Sequence, residues 1–217
     1  MKTIYFISGL GADSRAFNNI TLPPDVQSVH LDWIPPHHND TIATYAERIC
    51  ARINTSQPFY LAGLSFGGMI AVEMLNYVQP VKTILLSSAA SKHELRKMYV
   101  WAGQVGLHRL FTRNLARSGS FLLSYLFQLK TSSERKLIMQ MMNDTDPQFF
   151  KWAVQAIVSW QRTEAPAQII RIHGTADRTL PPVNITYEYL IKGGGHFMVY
   201  SKAQELSQIL EKILNEP

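Results

Sequence analysis

The chain predicts an α/β architecture: about six mostly parallel strands flanked by helices, with one helical insertion. Three observations carry this. Short β-branched and aromatic runs alternate with stretches of helical period. Four of the six runs end in Gly or Ser, where the chain has to turn sharply. One long stretch, residues 91–163, breaks the alternation and carries helical periodicity alone. Strand–helix alternation is the pattern of a parallel sheet whose faces are both covered.

The elements follow in order. Strands are read at 2–7 (KTIYFI), 26–31 (VQSVHL), 59–62 (FYLA), 81–87 (VKTILLS), 168–173 (QIIRIH) and 185–191 (ITYEYLI). Helices are read at 41–53, with Ile42, Tyr45, Ala46, Ile49 and Ile53 on one face, and at 66–78, with Met69, Ile70, Met74 and Val78 likewise. A last helix over 204–214 buries Leu206, Ile209, Leu210 and Ile213. The insertion reads as helices near 92–105, 107–129, 132–142 and 147–161. It holds Trp101, Trp152 and Trp160, three of the four tryptophans. The expected organisation is one domain over 1–217, with its core at 1–90 and 164–217 and a helical cap at 91–163. Only 174–184 separates the last two strands, which is short for a parallel return.

Composition narrows the function classes. With 217 residues, 46% hydrophobic and 17% charged, the chain has ample material for a core, which excludes intrinsic disorder. No apolar stretch reaches the ~18 residues that span a bilayer. Lys2 and the run Ile4–Ile7 resemble the start of a secretory signal, but the run breaks into Ser8-Gly9 after about seven residues, which favours a buried strand. The one cysteine, Cys50, forms no internal disulfide and reads as core filler; a reducing, cytoplasmic setting is expected. Net charge is +5, yet 91–163 holds eleven Lys/Arg against four Asp/Glu. Lys92, Arg96 and Lys97 cluster there, and Arg109, Arg113 and Arg117 fall on one helix face. That stripe reads either as a solvated face or as an attractor of anionic substrates.

The chemistry concentrates in three places. Gly63-Leu64-Ser65-Phe66-Gly67 matches G-x-S-x-G between a strand and a helix, and about 0.07 such matches are expected by chance. The glycines suit a strained turn that thrusts a serine outward. A serine hydroxyl is a weak nucleophile and needs a base held by a third group. His196, in Gly193-Gly194-Gly195-His196-Phe197, follows the last strand; Asp177, in His173-Gly174-Thr175-Ala176-Asp177, follows the strand before it. All three lie at carboxyl ends of strands, where an open parallel sheet has its crevice. Two fixed N–H donors for an oxyanion are expected at Phe66 and, in the loop Ser8-Gly9-Leu10-Gly11, at Leu10. His37-His38-Asn39-Asp40 could suggest metal ligands, but adjacent histidines rarely converge on one ion, and Asn39 or Asp40 reads better as a helix cap.

These residues resemble the α/β-hydrolase superfamily, in particular its small, cap-bearing bacterial carboxylesterases. Gly63–Gly67 resembles the nucleophile elbow, Ala176-Asp177-Arg178 with Pro181-Pro182 the acid loop, and Gly195-His196-Phe197 the base loop. Ser8-Gly9-Leu10-Gly11 stands where relatives carry a His-Gly loop. The resemblance implies an α/β-hydrolase fold with strand order 2-1-3-4-5-6. It also implies a serine esterase in which Ser65 attacks, His196 is the base, Asp177 orients it, and the Leu10 and Phe66 amides hold the oxyanion. No cofactor or metal is implied. The expected partner is a small-molecule ester, anionic esters included, rather than nucleic acid or a membrane. Thioesterases and lyases use the same triad, and some relatives are low-turnover receptors. Tyr99, Trp101, Phe121, Tyr125 and Trp152 are the candidates for lining the acyl pocket.

Overall fold

Alternation of side chains along the strands decides where the core sits. In β1 (Lys2–Ile7), Tyr5 and Ile7 enter one buried cluster while Ile4 and Phe6 enter another on the opposite face. Strands β3 (Phe59–Leu64) and β4 (Thr83–Leu86) divide their residues in the same way, so both faces of the sheet need cover. The computed structural model describes residues 1–96, 120–182 and 185–216, with the backbone alone at 120–122. Its sheet has six strands in the order β2-β1-β3-β4-β5-β6, all pairs parallel, where β2 is Val26–His30, β5 Ile169–Gly174 and β6 Tyr189–Ile191. The expected order is the observed one.

On one face lie α1 (Ile42–Cys50) and α2 (Phe66–Met74). Thr41 caps α1 through a reciprocal bond pair with Thr44, so the cap is neither Asn39 nor Asp40. Every residue of α2 is buried, as expected of a helix packed against the centre of the sheet. The other face is covered by the 3-10 turn Ser14–Phe17 and by the C-terminal helix, whose Leu206, Leu210 and Ile213 are buried.

Between β4 and β5 the chain makes the long helical excursion. Its described helices are α3 (Ser120–Phe127), α4 (Ser132–Asp144) and α5 (Pro147–Val158). A capping box between Thr131 and Glu134 starts α4, and Asp146 followed by Pro147 starts α5. The chain closes with α6 (Met198–Ser201) and α7 (Ala203–Asn215). No helix among the described residues is long and apolar enough to cross a membrane.

Two further expectations change. The last strand is three residues long rather than seven, because the Glu188 side chain accepts the Arg171 N–H at 2.6 Å, taking the donor that a longer strand would use. The helix read at 92–105 starts as a short 3-10 turn, Lys92–Glu94, and Leu95 is extended, so Lys92 and Arg96 do not share a helix face. Glu94 is drawn away by Arg171, which meets both its carboxylate oxygens at 2.8 Å, and by the Ala90 N–H at 2.7 Å. Lys97 and the stripe Arg109, Arg113 and Arg117 lie outside the described residues, as do Tyr99 and Trp101.

Buried ion pairs fasten both ends of the excursion. Glu94–Arg171 ties its start to β5. Glu73 in α2 ties its end, accepting from Trp160 Nε1 at 2.8 Å and from Arg162 Nε at 3.0 Å. The two ends also meet directly, since the Lys92 N–H donates to the Arg162 carbonyl at 2.8 Å. Removing one partner of a buried pair strands the other charge. Glu94→Ala is therefore expected to destabilise the fold by about 3 kcal/mol, read as a lower urea midpoint. An unchanged midpoint would contradict the anchoring role.

Candidate active site

The turn from β3 into α2 is unusually tight. Ser65 has φ 51° and ψ −117°, a backbone conformation that costs about 1–3 kcal/mol for a residue with a side chain. The turn is possible because its flanks lack side chains. A Cβ on Gly63 would lie 2.5 Å from the Gly67 carbonyl oxygen and the Gly68 backbone, and one on Gly67 would strike the carbonyls of Ile7 and Ser8. The neighbours hold Ser65 in place. Its N–H donates to the Leu86 carbonyl at 2.9 Å, and its carbonyl accepts from the Ser88 hydroxyl at 2.6 Å and the Gly68 N–H at 2.9 Å. Ser65 is half-exposed while the four residues on either side are buried.

The Ser65 hydroxyl is 2.8 Å from His196 Nε2, and His196 Nδ1 is 2.7 Å from Asp177 Oδ2. A carboxylate only accepts, so Nδ1 carries the hydrogen and Nε2 is free to accept from Ser65. The other oxygen of Asp177 accepts the Thr179 and Leu180 N–H groups at 2.8 and 2.9 Å. His173 adds a further donor. Its Nε2 lies 2.7 Å from the Leu180 carbonyl and 3.3 Å from Asp177 Oδ2. Burial alone pushes the Asp177 carboxyl up, but the His196 charge and the hydrogen bonds from His173, His196 and Leu180 outweigh it, holding the group well below its ordinary value.

The loop after β1 lies against Ser65: a Cβ on Gly9 would be 3.4 Å from Ser65 Cβ. It is stitched to itself, with the Ala12 N–H donating to the Gly9 carbonyl at 3.0 Å and the Ser8 hydroxyl to the Ala12 carbonyl at 2.9 Å. Trp33 Nε1 donates to the same carbonyl at 3.1 Å. The Leu10 N–H finds no acceptor among the described residues. Phe66 is the first residue of α2, where a helix leaves its N–H groups without internal partners.

The excursion packs around these residues. The Phe127 ring is 5.2 Å from the His196 ring, and Met142 and Phe150 flank Gly11. Phe66 lies in an aromatic cluster with Trp33, Phe149 and Trp152. Of the described pocket candidates, Trp152 belongs to that cluster and Tyr125 is exposed; Phe121 lies in α3, where the backbone alone is described. His37 and His38 turn to separate partners, Arg48 and Asn39. Cys50 is half-buried, and burial pushes its thiol up to about 11.

A profile of the alpha/beta hydrolase family matches residues 4–209. The chain belongs to the alpha/beta hydrolase family. Its fold resembles that of a hydrolase from Oleispira antarctica, at TM-score 0.74 and 14% identity over 100% of this chain and 92% of that one. A thermophilic esterase from Thermogutta terrifontis aligns at TM-score 0.72 and 15% identity, covering 99% and 89%. A lipase-esterase related protein from Clostridium acetobutylicum aligns at 0.68 and 16%, covering 97% and 93%. At these identities the likeness establishes the fold. No curated protein sequence matches significantly.

The structure brings the expected Ser65, His196 and Asp177 into hydrogen-bond contact and sets Phe66 and the loop of Leu10 next to Ser65. His173, Ser88, Trp33 and Phe127 support them without a signal in the sequence pattern. His173 stood inside the motif quoted for Asp177, but its reach to the carboxylate depends on how the loop returns through Leu180. The depressed Asp177 carboxyl has a consequence for stability. The unfolded chain takes up this proton at the ordinary 3.8 and the folded chain below it, so the stabilisation is present above about pH 4 and fades as pH falls. Between about pH 5 and about pH 3 the wild type should lose stability faster than Asp177→Asn in urea titrations. Parallel declines would contradict the assignment.

Proposed function

We propose that this chain is a serine hydrolase that cleaves small carboxylic esters through an acyl-Ser65 intermediate. The observation that carries the reading is the continuous hydrogen-bonded line from Ser65 Oγ through His196 to Asp177, set on a strained strand-to-helix turn. Family membership supports hydrolase chemistry, and the esterase among the fold neighbours agrees with an ester as substrate.

In this reading, Ser65 Oγ attacks the ester carbonyl while its proton passes to His196 Nε2. The ionised Asp177 keeps His196 in the productive tautomer and stabilises the imidazolium. The oxyanion is held by the Leu10 and Phe66 N–H groups, one on a loop locked by Ser8 and Trp33 and the other at the start of α2. His196 then returns the proton to the departing alkoxide, which leaves as the alcohol. Water, deprotonated by His196, attacks the acyl-serine and releases the carboxylic acid. The described helices of the excursion act as a cap, and Phe127 and the cluster around Phe66 supply apolar walls to the site.

Ser65→Ala should lower kcat for p-nitrophenyl butyrate by about 10³-fold or more with the fold intact. Asp177→Asn should lower it by about 10²–10⁴-fold through the wrong His196 tautomer. Circular dichroism checks the fold in both cases. Near-wild-type turnover by Ser65→Ala would overturn the proposal.

A further inference from the structure

Two guanidinium groups meet at the acid loop without a carboxylate partner among the described residues. Arg178, directly after Asp177, is exposed and lies over the Tyr125 ring, with Cζ 4.1 Å from the ring centroid. Its Nη1 also donates to the Tyr125 carbonyl at 3.4 Å. Arg96, exposed as well, donates from Nη1 to the Arg178 carbonyl at 3.0 Å, which brings a second cation to the same loop. Among the described residues neither forms a salt bridge. The nearest carboxylates in sequence are already paired: Glu94 with Arg171, and Asp177 with His196 and the backbone of its own loop. The stretch 97–119 contains four Lys/Arg and no Asp or Glu, so it supplies no counter-charge.

The place matters as much as the charge. The carboxyl end of α3 is fixed to the acid loop on one side, where the Thr179 hydroxyl donates to the Leu126 carbonyl at 3.3 Å. On the other side its Phe127 ring lies against His196. Arg178 thus follows the triad carboxylate directly, and Tyr125 stands two residues before the ring that covers His196. Stacking on an aromatic face restrains a guanidinium while leaving its N–H edge open, and that edge matches the two oxygens of a carboxylate or of a phosphate. Two like charges gathered without a carboxylate repel each other until an anion joins them.

We infer that Arg178, held on Tyr125, and Arg96 form an oxyanion-recognition pair at the rim of the site, selecting esters that carry a second, negatively charged group. The inference rests on the ester-hydrolase reading for what is cleaved, and on the arginines alone for what is bound.

The test compares p-nitrophenyl hydrogen glutarate with the neutral p-nitrophenyl valerate. Arg178→Gln and Arg96→Gln should each raise KM for the glutarate by about 5- to 10-fold, leaving kcat and the valerate kinetics within about twofold. The loss should shrink as ionic strength rises from about 0.05 M to about 0.5 M. Arg178→Lys should recover part of it. Competition by succinate and by inorganic phosphate shows which oxyanion the pair prefers. Equal changes for both esters, or none for either, would overturn the inference. Should Arg178→Gln fail to fold, Arg96→Gln decides, because it leaves the sequence of the acid loop intact.

Equilibrium binding of the same two esters to Ser65→Ala separates the two claims. If the wild type cleaves neither ester, the hydrolase reading fails. The recognition pair then still stands if the glutarate binds more tightly and loses that preference in Ser65→Ala/Arg178→Gln, and it falls if the two esters bind alike.

Discussion

The backbone of Ser65 is the constraint from which the rest of the site follows. Its left-handed φ costs energy, so the surroundings must over-determine it. They do so from three directions: the Leu86 carbonyl of β4, the Ser88 hydroxyl beyond it, and the first turn of α2. The same geometry leaves no room for side chains at Gly63 and Gly67, and it presses Gly67 against the carbonyls of Ile7 and Ser8. The turn at Ser65 and the loop after β1 are therefore one packed unit. Whatever positions Ser65 also positions the loop that carries Gly9 and Leu10.

A second layer of organisation is electrostatic. Three buried or half-buried carboxylates sit where the chain leaves or returns to the sheet: Glu73 on the side of α2, Glu94 at the start of the excursion, Asp177 after β5. Each accepts at least one hydrogen bond from a distant part of the sequence, so each fixes a long-range crossing as well as holding a charge. Asp177 differs in what it faces. Its donors include both His173 and His196, and the latter leads on to Ser65. Arg178 follows Asp177 directly, and Arg96 reaches its carbonyl from the start of the excursion, so a charge-balanced interior gives way to an exposed cationic surface within one residue.

Much of this was legible in the sequence because the signals were local. Strands buried on both faces are continuous apolar runs, and β1, β3 and β4 read as such. The elbow needs glycines at fixed spacing, and Asp177 and His196 follow strands. The signals failed where a side chain from elsewhere overrode local preference. The run 185–191 has the composition of a strand, but Glu188 reaches across to a β5 amide. The stretch after Ser91 has helical spacing, yet Glu94 is pulled to Arg171. The support of Trp33 for the Ala12 carbonyl, and of Tyr125 for Arg178, spans separate elements and leaves no periodic trace. Only the charge bias of residues 91–163 hinted at an anion, and it pointed to Arg109, Arg113 and Arg117 rather than to Arg178.

The account depends most directly on Ser65 being a nucleophile activated by His196. Incubation with a fluorophosphonate, followed by intact-mass measurement and peptide mapping, tests that in one experiment. The account predicts a single adduct on the peptide containing Ser65, forming at least about 100-fold more slowly in His196→Ala. No adduct on the folded protein, or an adduct on another residue at an undiminished rate in His196→Ala, would contradict it.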